Sequence, residues 1–493
     1  MTGLTNTSLD KLSALPEELI VSILDCIETD DISTLHALGG TSRRFQRLAI
    51  SRLYSKFYGE APEQFLRTIA LSHPELADHV KEVVWFQTYW SVSARQRCVS
   101  PEQRLLLANK LQNTEHNFEM SEPSVDLPGR FIEFDHSREP HWWYLEFFLC
   151  FTPRVQKLTV WDTWLWDDHS YWFLTVSMNP HRFENLSSIT VHGPQRIENV
   201  VPLLTLPSIR KLELLQVVAM RQELGRTFAW REGQGKSIAD LLSSGSSLQQ
   251  LILRASSIFF PDAIVILERL NKLKSLTYEY VDDELASHRR ESHEFPRIED
   301  LRRLSNCPLE YLRIRSESVL EREVVSSLFA TRVPVLEKHP LQDLHTLDLG
   351  PCDDSSFWGT SFELHPLDTI RDPRDIAEQL PDTLEVLRIK WDEYDKNEGV
   401  QLLECLEPFA RAVASASNLK RIAIADWPAL GGWFPHQERF SRLQRLFRSL
   451  GMDLEVVGEE IDGEEPLVTA DDVEQGWLWV GKTSSFTIYA GNS

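Results

Sequence analysis

A six-residue apolar pattern, Leu-x-x-Leu-x-Leu with Val, Ile or an aromatic residue allowed at the apolar positions, constrains this chain more than any other feature. It begins at 155, 186, 209, 248, 273, 309, 344, 384 and 419, with an early copy at Val80 and a late one at Leu454. One copy means little in a leucine-rich protein. Nine clear copies separated by helix-like segments mean a repeating unit, each copy a short buried strand. The intervening helical segments include His141 to Phe151, Ile238 to Leu242, Pro261 to Leu270, Val319 to Phe329, Val400 to Ala414 and Gln437 to Leu450. Strand, turn and helix in regular succession place all strands parallel, in an α/β architecture.

Such an alternation resembles a leucine-rich-repeat solenoid, a curved parallel sheet with outer helices. The spacing of 23 to 40 residues is loose, and the Asn or Cys usual after the strand is mostly missing, as in the irregular arrays of many fungal proteins. A mixed α/β domain whose strands happen to follow Leu-x-x-Leu is the competing reading. The array is expected over 58–460, with an insertion at about 86–153 where the rhythm breaks. Eight of the chain's fifteen tryptophans (85, 90, 142, 143, 161, 164, 166, 172) gather in and just beyond that insertion. Trp142 and Trp143 are candidates for binding, because tryptophan is enriched at interaction hot spots; filling a core is the alternative. The acidic run Glu459 to Glu465 and the alternating tail Trp477 to Tyr489 predict a loop and a closing segment over 461–493.

Residues 12–57 read differently, as three short helices sharing an apolar seam. Pro16 suits a first helical turn, and Glu17 and Glu18 complement the positive end of the helix dipole. Leu19, Ile20, Ile23, Leu24 and Ile27 recur at helical period. Asp30 or Asp31 can cap the next helix, carrying Ile32, Leu35 and Leu38, which Gly39-Gly40 should stop. Ser42 can cap a third, Arg43 to Phe57, with Phe45, Leu48, Ala49 and Leu53 inward and its arginines mostly outward. Fewer than fifty residues burying this much aliphatic surface would be marginal alone, so this apolar excess calls for a partner.

The opening Leu15-Pro16-x-Glu18-Leu19-Ile20-x-x-Ile23-Leu24, the pair Asp31-Ile32 and the closing Thr41-Ser42-Arg43-Arg44-Phe45-x-x-Leu48 resemble the F-box. Phe45 stands where many members have Trp, and Thr41 where Val or Cys is usual. The resemblance implies docking on a Skp-type adaptor and, through it, a cullin ubiquitin ligase, with Leu15, Pro16, Leu19, Ile20, Ile23, Leu24, Ile27, Ile32 and Leu35 as adaptor contacts. The chain would then be a non-catalytic, substrate-recognition subunit. A non-ligase interaction scaffold and an enzyme with its site in the aromatic insertion are the alternatives.

Charge narrows the partners: 51 basic against 74 acidic residues, a net of −23, argue against nucleic acid or an anionic membrane. The absence of an apolar h-region or membrane-length run predicts a cytoplasmic or nuclear protein. The cysteines at 26, 98, 150, 307, 352 and 405 form no zinc-type spacing, so no metal and no cofactor is expected. Gly476 to Thr483 matches the phosphate-loop pattern letter for letter, but bulky strand formers fill it and no helix of useful length can follow. Gly233-Gln-Gly235-Lys236-Ser237 fails sooner, with Trp230 where the first glycine belongs. No catalytic motif survives.

Alternation within each strand predicts one further strip. Ile252, Thr277, Arg313, Asp348, Arg388 and Ala423 should line one face, followed by Arg254, Glu279, Arg315, Gly350, Lys390 and Ala425. Either these are cross-strand ion pairs, or Arg254, Arg313, Arg315, Arg388 and Lys390 form a positive groove for an acidic or phosphorylated substrate segment.

Overall fold

The structure is a computed structural model, which describes residues 15–27, 31–59, 63–87, 102, 105–107, 109–110, 142–162, 172–218, 228–229, 235–236, 246–256, 258, 260–280, 303–316, 341–352, 380–391, 406–414, 418–426 and 437–458. Expected elements at Ile238 to Leu242, Val319 to Phe329 and 461–493, with most of the insertion and the motif at Gly476, lie outside the described residues.

Every strand expected from the repeat is present. In chain order they are β1 Lys56–Gly59, β2 Glu82–Gln87, β3 Lys157–Asp162, β4 Ser188–Arg196, β5 Lys211–Val218, β6 Gln250–Ser256, β7 Ser275–Tyr280, β8 Tyr311–Ser316, β9 Thr346–Cys352, β10 Val386–Trp391, β11 Arg421–Asp426 and β12 Asp453–Gly458. The hydrogen-bonded order is the chain order, so each strand pairs with the one before it. Where register is defined within this sheet the pairs are parallel. Its strand order is linear. Of the sequence reading, an α/β arrangement of a parallel sheet with helices is thus present. A helical crossover returns the chain in the same direction, which accounts for parallel pairing wherever a helix is described between two strands.

The chain divides into two compact units, Met1–Leu251 and Ile252–Ser493, with the division inside β6. In the first unit, α1 Glu17–Asp25, α2 Ile32–Thr41 and α3 Arg43–Leu53 precede β1. Only Tyr54 and Ser55 separate α3 from β1, so 15–53 share a unit with β1 to β5. The region expected to continue as helix to Phe57 is strand from Lys56, because Phe57 and Tyr58 are better placed on a sheet edge, with Phe57 against the rings of Phe65, Trp85 and Phe148. Helices α4 Trp142–Phe151, α5 Trp172–Met178 and α6 Ile197–Leu204 complete the unit's main elements. Beyond the sheet, Phe228–Ala229 and Gly235–Lys236 form a small antiparallel ladder, so the glycine-lysine pair that mimics a phosphate loop is strand.

The second unit carries α7 Phe260–Leu267, a helix at 406–414 and α8 Gln437–Ser449. In both units, the late copy at Leu454 apart, the first apolar residue of the pattern sits just before its strand and is buried: Val80, Val155, Leu186, Ile209 and Leu248 in one, Leu273, Leu309, Leu344, Leu384 and Leu419 in the other. The residue after it donates its N–H to the equivalent carbonyl of the preceding repeat. Glu310 to Lys274, His345 to Glu310, Glu385 to His345 and Lys420 to Glu385 form such a ladder at 2.8–2.9 Å. Between β4 and β5 the register slips from His192 to Gln195, where Gly193 and Pro194 oppose Gln216 alone. This is a bulge, with Gly193 and Gln216 both at positive φ.

Candidate functional site

Two clusters carry the residues singled out by the sequence. The first is the helical module. Its core is Ile20, Leu24, Leu35, Phe45 and Ala49, with Leu15, Ile27, Leu38, Leu48 and Leu53 packed around it. Asp31 caps α2 by accepting from the Thr34 N–H at 3.0 Å, and Ser42 caps α3 by accepting from the Phe45 N–H at 3.2 Å. Gly39 and Gly40 do not stop α2, which continues to Thr41. Gly39 instead lies against α3, where an added Cβ would be 3.8 Å from the Gln46 Cα.

The nine expected adaptor contacts separate by burial. Ile20 and Leu24 are 0% and 1% exposed and Leu35 is also buried, so these three hold the module together. Pro16, Leu19 and Ile23 face outward, Leu19 at 50% and Ile23 at 41% exposure. Leu15 and Ile27 lie between, and the Ile32 side chain is outside the described residues. Val21, absent from the sequence-derived set, is exposed too. A signal for this split was present in the sequence. At 100° per residue Leu19, Ile23, Ile27, Ile20 and Leu24 span an arc of about 140°, wider than the roughly 100° stripe that a core requires.

The arginines of α3 also depart from expectation. Arg44 Nη2 donates to the Leu15 carbonyl at 2.7 Å, and its Nε is 3.6 Å from Glu17. Arg47 pairs with the same carboxylate. Arg52 Nη1 donates to the Leu24 carbonyl at 2.5 Å and lies 3.5 Å from that of Ile27, while its Nη2 pairs with Asp25. Arg44 and Arg52 therefore turn back onto α1 rather than outward.

The second cluster is the charged strip in the second unit. Parallel register puts Thr277, Arg313, Asp348, Arg388 and Ala423 in one row, and Glu279, Arg315 and Gly350 in the next. Asp348 is fully buried, with Arg315 Nη2 at 3.3 and 3.4 Å from its two oxygens and Arg313 Nε at 3.6 Å. Arg313 Nε also lies 3.2 Å from Glu279. Arg313 and Arg315 are buried, which favours the ion-pair reading over an open groove. Arg388 and Arg254 are half-buried, and the Lys390 side chain is outside the described residues. Next to this cluster, burial pushes the Tyr311 phenol above its usual range, and the negative charge of Asp348 adds to the push against the opposing arginines.

Trp142 and Trp143 begin α4, but their side chains are outside the described residues. Of the other tryptophans, Trp85 and Trp172 are core, and Trp161 stacks on His192 of the neighbouring strand at 3.7 Å between ring centroids. Among the described residues, no group of three His, Cys, Asp or Glu side chains could hold a metal ion, and no helix is long and apolar enough to cross a membrane. No protein-family profile matches the chain, and no curated protein matches it in sequence.

Proposed function

We propose that residues 15–53 are an F-box-type docking module and that the chain is the substrate-recognition subunit of a Skp-cullin ubiquitin ligase. One observation supports this above the rest. Helix α1 spends Ile20 and Leu24 on its own core, yet leaves Leu19 and Ile23 half exposed on an adjoining face. Two large aliphatic side chains presented beside Pro16 form a surface of the kind a helical adaptor covers. Burying each is worth roughly 1.5–3 kcal/mol, part of which goes to association costs. The repeat region would carry the substrate, and transfer chemistry would belong to the recruited conjugating enzyme, with this chain supplying proximity.

The test is binding of the full chain to a purified Skp-type adaptor by calorimetry. Ile23→Asp is expected to abolish the complex without lowering thermal stability, because the site is exposed in the free protein. Undiminished binding by Ile23→Asp together with Leu19→Asp would remove the reading.

A further inference from the structure

The docking face of α1 is set by residues that do not lie on it. The helix is nine residues long, a length at which an isolated helix is marginal in water, so neighbours must fix both its existence and its rotation. Its core contacts fix one side only. Rotation matters because the exposed stripe of Pro16, Leu19 and Ile23 is centred about 70° to 100° from the buried pair Ile20 and Leu24, at 100° per residue. A turn of one residue position would exchange the two.

Arg44 and Arg52 are eight residues apart on α3, about 12 Å at 1.5 Å per residue, close to the length of α1 itself. That spacing lets one helix hold the other at both ends. At the start of α1, Arg44 donates to the Leu15 carbonyl at 2.7 Å and approaches Glu17, which Arg47 also engages. At its end, Arg52 donates to the Leu24 carbonyl at 2.5 Å and pairs with Asp25. The last carbonyls of a helix carry the negative end of its dipole, and that of Leu24, which already accepts the Ile27 N–H at 3.2 Å, takes a second, charge-assisted bond from the guanidinium. Exposed pairs with Glu17 and Asp25 contribute little alone. The charge-assisted bonds to the carbonyls are the stronger part.

We propose that Arg44 and Arg52 are positioning residues, a two-ended clamp that fixes the rotation of α1 and thereby presents Leu19 and Ile23 to the adaptor. This rests on the docking reading above. The full chain is titrated with purified Skp-type adaptor, and backbone hydrogen exchange across α1 is followed in the free protein. Arg44→Ala with Arg52→Ala is expected to raise Kd by about ten-fold or more and to accelerate exchange in α1, leaving β7 to β11 unchanged. Arg52→Lys, which keeps charge but cannot reproduce the planar fork, should fall between that variant and wild type. In a Leu19→Ala background, the loss caused by Arg52→Ala should shrink, since the clamp acts through that surface.

A Kd within two-fold of wild type for the double variant overturns the proposal, whether or not α1 exchanges faster. Should that variant lose its helices, Arg44→Lys with Arg52→Lys is read in its place, and wild-type affinity there overturns it equally. If the wild-type chain fails to bind the adaptor, the docking reading falls by itself. Exchange in α1 then decides the clamp, and unchanged protection in both variants rejects it.

Discussion

Arginine plays opposite parts in the two units. In the helical module, Arg44, Arg47 and Arg52 reach across solvent-facing ground to carboxylates that are themselves about half exposed, and the useful contacts are with backbone carbonyls. In the second unit, Arg313 and Arg315 are buried and converge on Asp348, from which solvent is wholly excluded. Water screens the first set and amplifies nothing; low dielectric makes the second strong, but only while the charges remain matched. Similar pairs on paper thus have different consequences. One orients a surface, and the other is an internal commitment that tolerates no single deletion.

The largest effect should come from breaking that commitment. Asp348→Ala leaves two buried guanidinium groups facing each other without their shared carboxylate, and removal of one member of a buried ion pair costs about 3–5 kcal/mol. Denaturant unfolding of the full chain should lose that amount from the second unit. A loss under about 1 kcal/mol would show that solvent reaches the cluster and would revive the groove. The same logic changes the meaning of Arg315→Glu: with Asp348 beside it, instability is expected before any loss of substrate capture.

Next in size is a contrast inside α1. Ile20→Ala removes a fully buried side chain from a small core and should cost about 2–5 kcal/mol. Leu19→Ala, one residue away, should change stability by no more than about 0.5 kcal/mol while weakening adaptor binding. Equal destabilisation by the two would mean that the exposed stripe is packed after all.

The strand array was legible because each repeat offers three apolar positions with two-residue alternation, a local signal that survives uneven spacing. The same locality explains the omissions. β1 is a four-residue edge strand, Lys56–Gly59, too short to show a period, so the helical pattern before it was extended through it. Helix α6 contains Pro202, a residue that argues against a helix interior, yet Ile197, Val200, Val201, Leu203 and Leu204 are all buried and packing overrides propensity. The charged strip forms rows from Thr277 to Ala423 and from Glu279 to Gly350, since parallel register preserves repeat position, but the register shifts between Leu349 and Cys352 and breaks the second row before Lys390. Its burial was not legible, because accessibility depends on what lies over a face, which no repeat period encodes. In the module, the apolar residues were found, but which of two faces each serves depends on how α2 and α3 pack.

Smaller effects should appear as differences in thiol chemistry. Cys307 is buried with its Sγ 3.5 Å from the Leu267 carbonyl, and burial pushes its thiol up to about 11. Its neutral form is favoured by folding, so the associated stability is complete below the ordinary thiol range and lost as pH rises from about 9 toward that value. A thiol-labelling time course at pH 8 should therefore modify exposed Cys26, in the module, well before Cys307. Comparable rates would place the second unit's core in contact with solvent.

The smallest expected effect lies at the other end of the pH scale and in the other unit. Asp31 accepts hydrogen bonds from the Thr34 backbone N–H at 3.0 Å and the Ser33 hydroxyl at 2.8 Å. Hydrogen bonds from Thr34, then from Ser33, hold its carboxyl below the usual range near 3.8. A lowered value in the folded state means that the cap's contribution is present above that ordinary value and is lost as pH falls through the lowered one. Only the first turn of α2 should respond, since the carboxylate is exposed and serves one helix end. Amide shifts of Thr34 and Leu35, followed by NMR on the full chain, should titrate below pH 4, and Asp31→Asn should flatten that titration while retaining a cap. If the shifts survive in Asp31→Asn, another carboxylate governs this helix end. The module's electrostatics would then be less local than its exposed geometry requires, and the contrast with the buried Asp348 cluster would lose its basis.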